Sequence, residues 1–267
     1  MERVGVSERR ADAHDADTPA PMTTDATRSL KGVHWGDELG IRHIAIIPDG
    51  NRRWAADRSL PPMAGHSVGL LKVLPRIVRE LSAAGVHTLT AWGFSTENWK
   101  RQGVEVEHLM TIFAEFLQKQ MMGLAIEQDA RLIHLGRKDR MPTRVVDLIA
   151  DVEAKTAHHK SHVYNVALDY GGEDEMRRAV QRMADASVAS GRTDLSITEF
   201  LDTAGQLHPE PDVLVRSSGE TRLSGFLPLQ SAYSELFFVD RHFPEFNMEL
   251  FEQIAQEFVQ RKRRFGS

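Results

Sequence analysis

Three short polar segments concentrate the groups that bind anions and move protons. The first, Asp49-Gly50-Asn51-Arg52-Arg53-Trp54, directly follows the apolar run at 44–47. Arginine offers a planar fork of donors to phosphate, glycine lets the backbone approach closely, and an aspartate can hold the cation that accompanies a diphosphate. A surface turn is the plainer reading, since Asp-Gly-Asn is also hairpin chemistry. The second, Gly93-Phe94-Ser95-Thr96-Glu97-Asn98-Trp99-Lys100-Arg101, also ends an apolar run and packs hydroxyls, a carboxylate, an amide and a guanidinium into one loop. A helix N-cap box at 95–97 with Trp99 as a core aromatic explains part of it, though not its whole composition. The third, Arg216-Ser217-Ser218-Gly219-Glu220-Thr221-Arg222-Leu223-Ser224, sets two arginines around hydroxyls and a glycine. It can wrap a second anion or form a solvated turn.

These segments need a scaffold that brings them together, and the rest of the chain supplies its pattern. HIAIIP, VHTLTAWGF, RLIHLG, HVYNVALDY, VLVR and ELFFV read as strands. HSVGLLKVLPRIVRELSAAG, VEHLMTIFAEFLQKQMMGL, TRVVDLIADVEAKTAHH, MRRAVQRMADASVAS and a last stretch from Met248 carry helical spacing. The stretch DGNRRWAADRSLPPMAGH reads as a long polar connection, Pro75 as a kink, and Gly85 as a helix stop. Apolar strands alternating with amphipathic helices predict an α/β single domain with a mostly parallel central sheet flanked by helices on both faces. Such a sheet places ligand sites beyond the carboxyl ends of its strands, where all three polar segments fall.

Composition narrows the partners. With 267 residues and 41% hydrophobic content, the chain can bury one substantial core. A formal net charge of -5 argues against a general nucleic-acid binder, so any anionic ligand depends on locally clustered cations. The absence of cysteine excludes disulfides and thiolate metal sites, and a reducing cytoplasm is the simplest location. No stretch approaches the roughly 20 apolar residues that span a bilayer. Residues 1–40 are polar and aperiodic, lack the apolar core of a secretory signal, and read as a disordered tail ahead of a domain at 41–267.

The segments HIAIIPDGNRRWA, AGHSVG, GFSTENWKR, DVLVRSSGETRLSGFLPLQSAYSELFF and the closing RRFG resemble, in order and spacing, the signature blocks of the cis-prenyltransferases, the undecaprenyl diphosphate synthase family. The resemblance implies a transferase that condenses isopentenyl diphosphate with an allylic diphosphate, farnesyl or geranyl, in a magnesium-dependent reaction that sets a cis double bond. It implies that Asp49 holds Mg2+ with the diphosphate, that Gly50, Asn51, Arg52, Arg53 and His66 contact the allylic diphosphate, and that Ser95, Asn98, Trp99 and Arg101 belong to the allylic site. Asn98 is similar to the residue assigned to proton removal. Arg216, Arg222 and Ser224 look like the cradle for isopentenyl diphosphate, and Trp54, Thr96, Glu97 and Leu223 complete the implied substrate-binding set.

By the same resemblance Glu235 is a second metal-binding acid, and Arg264 and Gly266 reach the neighbouring subunit of a homodimer. The product would grow into an apolar tunnel between sheet and helices, walled by 70–81 and 109–124, and a lipid product would allow peripheral membrane contact. Departures from the family pattern are Pro62 where an arginine is common, Leu229 for a tryptophan and Gly225 for an asparagine. Gly93 leaves room for a long product, whereas Trp92 beside it does not. The alternatives are a short or branched specialised product, a non-catalytic partner subunit of a prenyltransferase, and a phosphate-binding regulator.

Overall fold

The six apolar runs pair in the order β3-β4-β2-β1-β5-β6, every neighbour parallel. The computed structural model describes residues 30–261. The strands are β1 His43–Ile47, β2 Thr88–Ser95, β3 Ala130–Leu135, β4 His162–Tyr170, β5 Val213–Ser217 and β6 Glu235–Val239. All residues of β1 and β5 are buried, as expected where helices cover both faces of a parallel sheet and strands need no polar alternation. The chain leaves β1 toward β2 on one side and later returns to β5 on the other, so the carboxyl ends of β1, β2 and β5 meet at a topological switch point.

The covering helices are α1 Asn51–Asp57, α2 Pro62–Val68, α3 Leu74–Ala83, α4 Gly103–Glu115, α5 Met122–Glu127, α6 Thr143–Thr156, α7 Gly172–Ser190 and α8 Met248–Gln260. Two of them correct the sequence reading. The polar stretch after β1 is not a connection but α1 and α2, each seven residues long and too short for apolar periodicity to register. Pro62 occupies the first turn of α2, where its missing N–H costs nothing. Pro75 likewise sits in the first turn of α3, after a π-helical turn at Gly69–Val73. A second π-helical turn, Phe116–Met121, joins α4 to α5 and packs against the first. Gly85 follows α3 with φ 91°, the stop expected of it.

The packed fold begins before residue 41, which moves the expected boundary. Trp35 is 2% exposed, and its amide donates to the Ala84 carbonyl at 2.8 Å, so the segment just before β1 already belongs to the core. One face of the sheet packs Ala45, Ile47, Leu135, Ala167 and Leu214 against Phe226 and Leu227 from the segment after β5. The expected apolar tunnel on the other face is divided. An open cavity lies at the carboxyl end, and a separate void of about 10 Å³ lies deeper, between Ile46, Leu89 and Phe116. Gly93 does not leave open room, because Leu168 and Phe113 would stand 2.7 and 3.0 Å from a β-carbon there.

Candidate active site

Asp49 stands two residues beyond β1 and is held from three directions. Its amide donates to Ser217 Oγ at 2.7 Å, and that hydroxyl returns a bond to the Asp49 carbonyl at 2.8 Å, tying the ends of β1 and β5 together. Gly50 then turns the chain into α1 with φ 83°, and its amide donates to Asp49 Oδ1 at 2.6 Å. A β-carbon at Gly50 would fall 1.7 Å from Ser218 Oγ, so no side chain fits. Arg216, the fourth residue of β5 and only 5% exposed, donates Nη2 to Asp49 Oδ2 at 3.0 Å and Nη1 to Ser224 Oγ at 2.9 Å. Arg53 adds a second guanidinium at 3.4 Å from Asp49. Burial works against ionisation of Asp49, but the hydrogen bond from Arg216, the Gly50 amide and the two positive charges outweigh it and hold the carboxyl below its usual range.

The end of β2 contributes the opposite wall. Ser95 and Asn98 form a reciprocal cap on the single turn Thr96–Lys100, with the Ser95 amide donating to Asn98 Oδ1 at 3.0 Å. Arg101 follows that turn and pairs with Glu105 at 2.9 Å, and Arg52 reaches the same carboxylate at 3.6 Å. His66 faces these arginines from α2. Its burial, and then the charge of Arg101, lower its pKa to about 4, so it is neutral near pH 7 and can donate without adding charge. His66 Nε2 and Arg216 Nε are buried without a partner, which marks places where an acceptor from outside the protein fits.

These groups enclose a cavity of about 370 Å³. It is lined by Asp49, Gly50, Asn51, Arg52, Arg53, His66, Ser95, Asn98, Arg101, Arg216 and Ser224 above an apolar floor of Ile47, Leu70, Trp92, Phe94, Leu109 and Phe243. Four arginines against one carboxylate make the lining cationic in an acidic protein, and the greasy floor beneath suits an amphiphilic anion. Where an arginine is missing at Pro62, Arg52 rather than Arg58 lies in the cavity. Arg58 pairs with Glu245 and stacks on Trp54 instead.

Several expected site residues lie elsewhere. Trp54 is occupied by Arg58 outside the cavity. Thr96 and Glu97 line a second, polar cavity of about 380 Å³ that meets the first at Ser224. Trp99 donates to Asp169 at 2.9 Å and lies edge-on to Phe94, a supporting position under the β2 loop. The Arg222 side chain is exposed and pairs with Glu220, while its carbonyl receives Arg216. Leu223 packs into the core cluster. Glu235, the second expected metal-binding acid, lies apart from this cavity. It opens β6 opposite Val213, so about five residues of strand, roughly 16 Å, separate it from the level of Asp49, and it pairs with Arg261 at 3.1 Å. Within one chain it cannot share an ion with Asp49. Arg264 and Gly266 lie outside the described residues.

Sequence reasoning missed Glu105, Ser217 and Phe243. Glu105 had a legible signal, one helical turn beyond Arg101. Ser217 was hidden because its work is backbone support, and Phe243 because it arrives from a distant loop.

Known proteins are similar to this chain in sequence and fold. The profile of a family described as putative undecaprenyl diphosphate synthase matches residues 47–266. An isoprenyl transferase of Listeria innocua is 41% identical over 228 residues, covering 84% of this chain and 90% of the relative. A geranylgeranyl-diphosphate-specific tritrans,polycis-undecaprenyl-diphosphate synthase of Pyrococcus horikoshii is 41% identical over 232 residues, covering 84% and 86%. Among solved structures, lavandulyl diphosphate synthase of Lavandula x intermedia, in complex with dimethylallyl diphosphate, superposes with a TM-score of 0.81 at 32% identity over 86% of this chain and 100% of that one. A probable undecaprenyl diphosphate synthase of Campylobacter jejuni gives 0.70 at 27% identity, over 85% and 99%. With the profile spanning most of the chain and its fold, this protein belongs to the undecaprenyl diphosphate synthase family, the cis-prenyltransferases.

Proposed function

We propose that the protein condenses isopentenyl diphosphate with farnesyl or geranyl diphosphate to give a Z-polyprenyl diphosphate, releasing diphosphate. The observation that carries this reading is the convergence of four arginines, Asp49 and His66 over an apolar floor in one cavity. Arg52, Arg53 and His66 hold the allylic diphosphate, whose hydrocarbon lies over Leu70, Trp92 and Leu109. Arg216 and Ser224 hold the diphosphate of the second substrate. As the allylic C–O bond breaks, its electron pair leaves with the diphosphate, and the arginines stabilise that charge. The terminal alkene carbon of isopentenyl diphosphate, C4, forms the new C–C bond and leaves positive charge on C3; a proton then passes from C2 to an oxygen of the departing diphosphate, and the C2–H electron pair becomes the C2=C3 double bond. Asn98 Oδ1 is engaged by the Ser95 amide, so its amide presents N–H donors, which suits orienting a diphosphate oxygen better than accepting the proton.

The donor set suits magnesium. Asp49 is an ionised, partly exposed carboxylate in the cavity, and no cluster of three His, Cys, Asp or Glu exists among the described residues. Mg2+ held by one carboxylate, substrate phosphates and water fits such a site. When bound there, the ion neutralises charge on the departing diphosphate. A homodimer in the cytoplasm, with peripheral membrane contact through the lipid product, completes the proposal. No helix among the described residues is long and apolar enough to cross a membrane.

A second reading, a short or branched product, is favoured by the small divided cavity and by the likeness to lavandulyl diphosphate synthase. One experiment separates the readings. Purified protein with Mg2+, labelled isopentenyl diphosphate and either allylic primer is incubated, and the products are sized by chromatography. A ladder ending at one long length supports chain elongation, a single short product supports the second reading, and no incorporation overturns both.

A further inference from the structure

The segment that carries Ser224 is strained. Ser224, Gly225 and Leu227 all have positive φ, at 52°, 83° and 46°. A leucine in that region is a genuine outlier, and such a conformation persists only where the surroundings over-determine it. The surroundings here are specific. Phe226 stacks on Trp92 with ring centres 5.0 Å apart, and the Gly225 carbonyl accepts the Gly172 amide at 2.8 Å. A β-carbon at Gly172 would come within 2.4 Å of Pro228, so the first residue of α7 lies directly against the strained turn.

The far end of the same segment is tied by a buried carboxylate. Glu175, on the first turn of α7 and 1% exposed, accepts from Gln230 Nε2 at 2.9 Å, from the Asp202 amide at 2.8 Å and from the Tyr170 hydroxyl. Glu175 lines neither cavity, and the chemistry above makes no use of it. Yet the elements it joins end on the site: Gln230 closes the segment, Ser224 opens it, and Ser224 accepts from the Arg216 guanidinium that also holds Asp49.

We propose that Glu175 is a positioning residue for the transfer reaction: through Gln230 it fixes the strained segment at 224–227, and through Ser224 it fixes Arg216 for the isopentenyl diphosphate. This rests on the function proposed above. The consequence is selective, because the allylic groups Arg52, Arg53 and His66 stand on α1 and α2, which Glu175 does not touch.

The test is Glu175→Leu. Leucine has no acceptor, so the bond from Gln230 is lost together with those from the Asp202 amide and the Tyr170 hydroxyl. The expected result is a KM for isopentenyl diphosphate raised about tenfold, equivalent to about 1.4 kcal/mol, with the KM for the allylic primer within about twofold. Gln230→Met breaks the same link from the other end and gives the same split, which keeps the test open if Glu175→Leu folds poorly. Tyr170→Phe removes one bond to Glu175 but keeps Gln230, and lowers the melting temperature without moving either KM. If Glu175→Leu and Gln230→Met lower the melting temperature alone, or raise both KM values alike, the positioning role is overturned. If the wild type shows no turnover, the proposed function fails separately. Positioning is then read from affinity for inorganic diphosphate, which must fall about tenfold in Gln230→Met and sinks the idea if it is unchanged.

Discussion

The two ends of the sheet are equally polar and built to opposite rules. At the amino end, most polar side chains close on one another, and His43 Nδ1, buried there without a well-aligned partner, lines neither site cavity. Asn165 and Gln206 exchange two amide bonds at 3.0 Å, Asn165 also reaches Thr90 at 2.9 Å, and Asp212 accepts the amides of Arg42 and His43. At the carboxyl end, Arg216 Nε and His66 Nε2 are buried with bonding capacity unused, and the backbone at 224–227 is strained. Buried polar groups are nearly always paired, so capacity left over beside a cavity is capacity held for a ligand. Bonding capacity left unused beside a cavity at one end and largely paired at the other thus differs in what removing a group should cost: turnover at the first, stability at the second.

Asp49→Ala breaks the comparison most sharply if it is wrong. Turnover should fall at least about 10³-fold, the scale of a lost electrostatic contact to the transition state, while circular dichroism still reports a folded chain at 25 °C. Undiminished activity would remove Asp49 from the chemistry. Next in size is an acid effect rooted in the amino end. Burial, opposed by backbone hydrogen bonds, lowers the pKa of His43 to about 3, against 6.5 when it is exposed. The unfolded chain therefore binds a proton that the folded chain refuses. This contribution is complete above pH about 6.5 and declines as the pH falls toward 3, by about 3 kcal/mol between pH 6.5 and 4. Chemical denaturation across that range should show the decline for the wild type and a shallower one for His43→Gln; equal slopes would discard the assignment.

Much of this contrast was legible in the sequence, for identifiable reasons. β1 and β5 announced themselves because fully buried parallel strands are continuous apolar runs, the other four because most of each is still apolar, and the site segments because each follows such a run. α1 and α2 were missed because seven residues are too few for a period to emerge, and Gly50 looks like a turn until φ 83° is seen to start a helix. Glu235 stands in a signature block, and only the parallel register reveals that it opens β6 at the level of Val213, away from Asp49 of the same chain. Glu175 carried no signal at all. One acid among Glu173, Asp174 and Glu175 at a helix start reads as dipole compensation, and only the fold reveals that Glu175, 1% exposed against 8% for Asp174, is the most deeply buried of them.

The smallest effect tests the amino end on its own terms. Gln206 is the partial cover over Asn165, itself 1% exposed, and it touches nothing that lines the cavity. Gln206→Ala removes both amide bonds and leaves Asn165 with Thr90 alone, so a buried donor and acceptor lose part of their pairing. The cost of such a loss is about 1–3 kcal/mol, reduced where water can enter from the exposed side of the loop. Thermal melts should therefore show a clear drop in melting temperature, with kcat and both KM values within about twofold of wild type, since the site is anchored by strand ends a full strand length away. A selective loss of turnover in this variant would mean that the two ends of the sheet are coupled, and that the amino-end network is part of the machinery rather than its foundation.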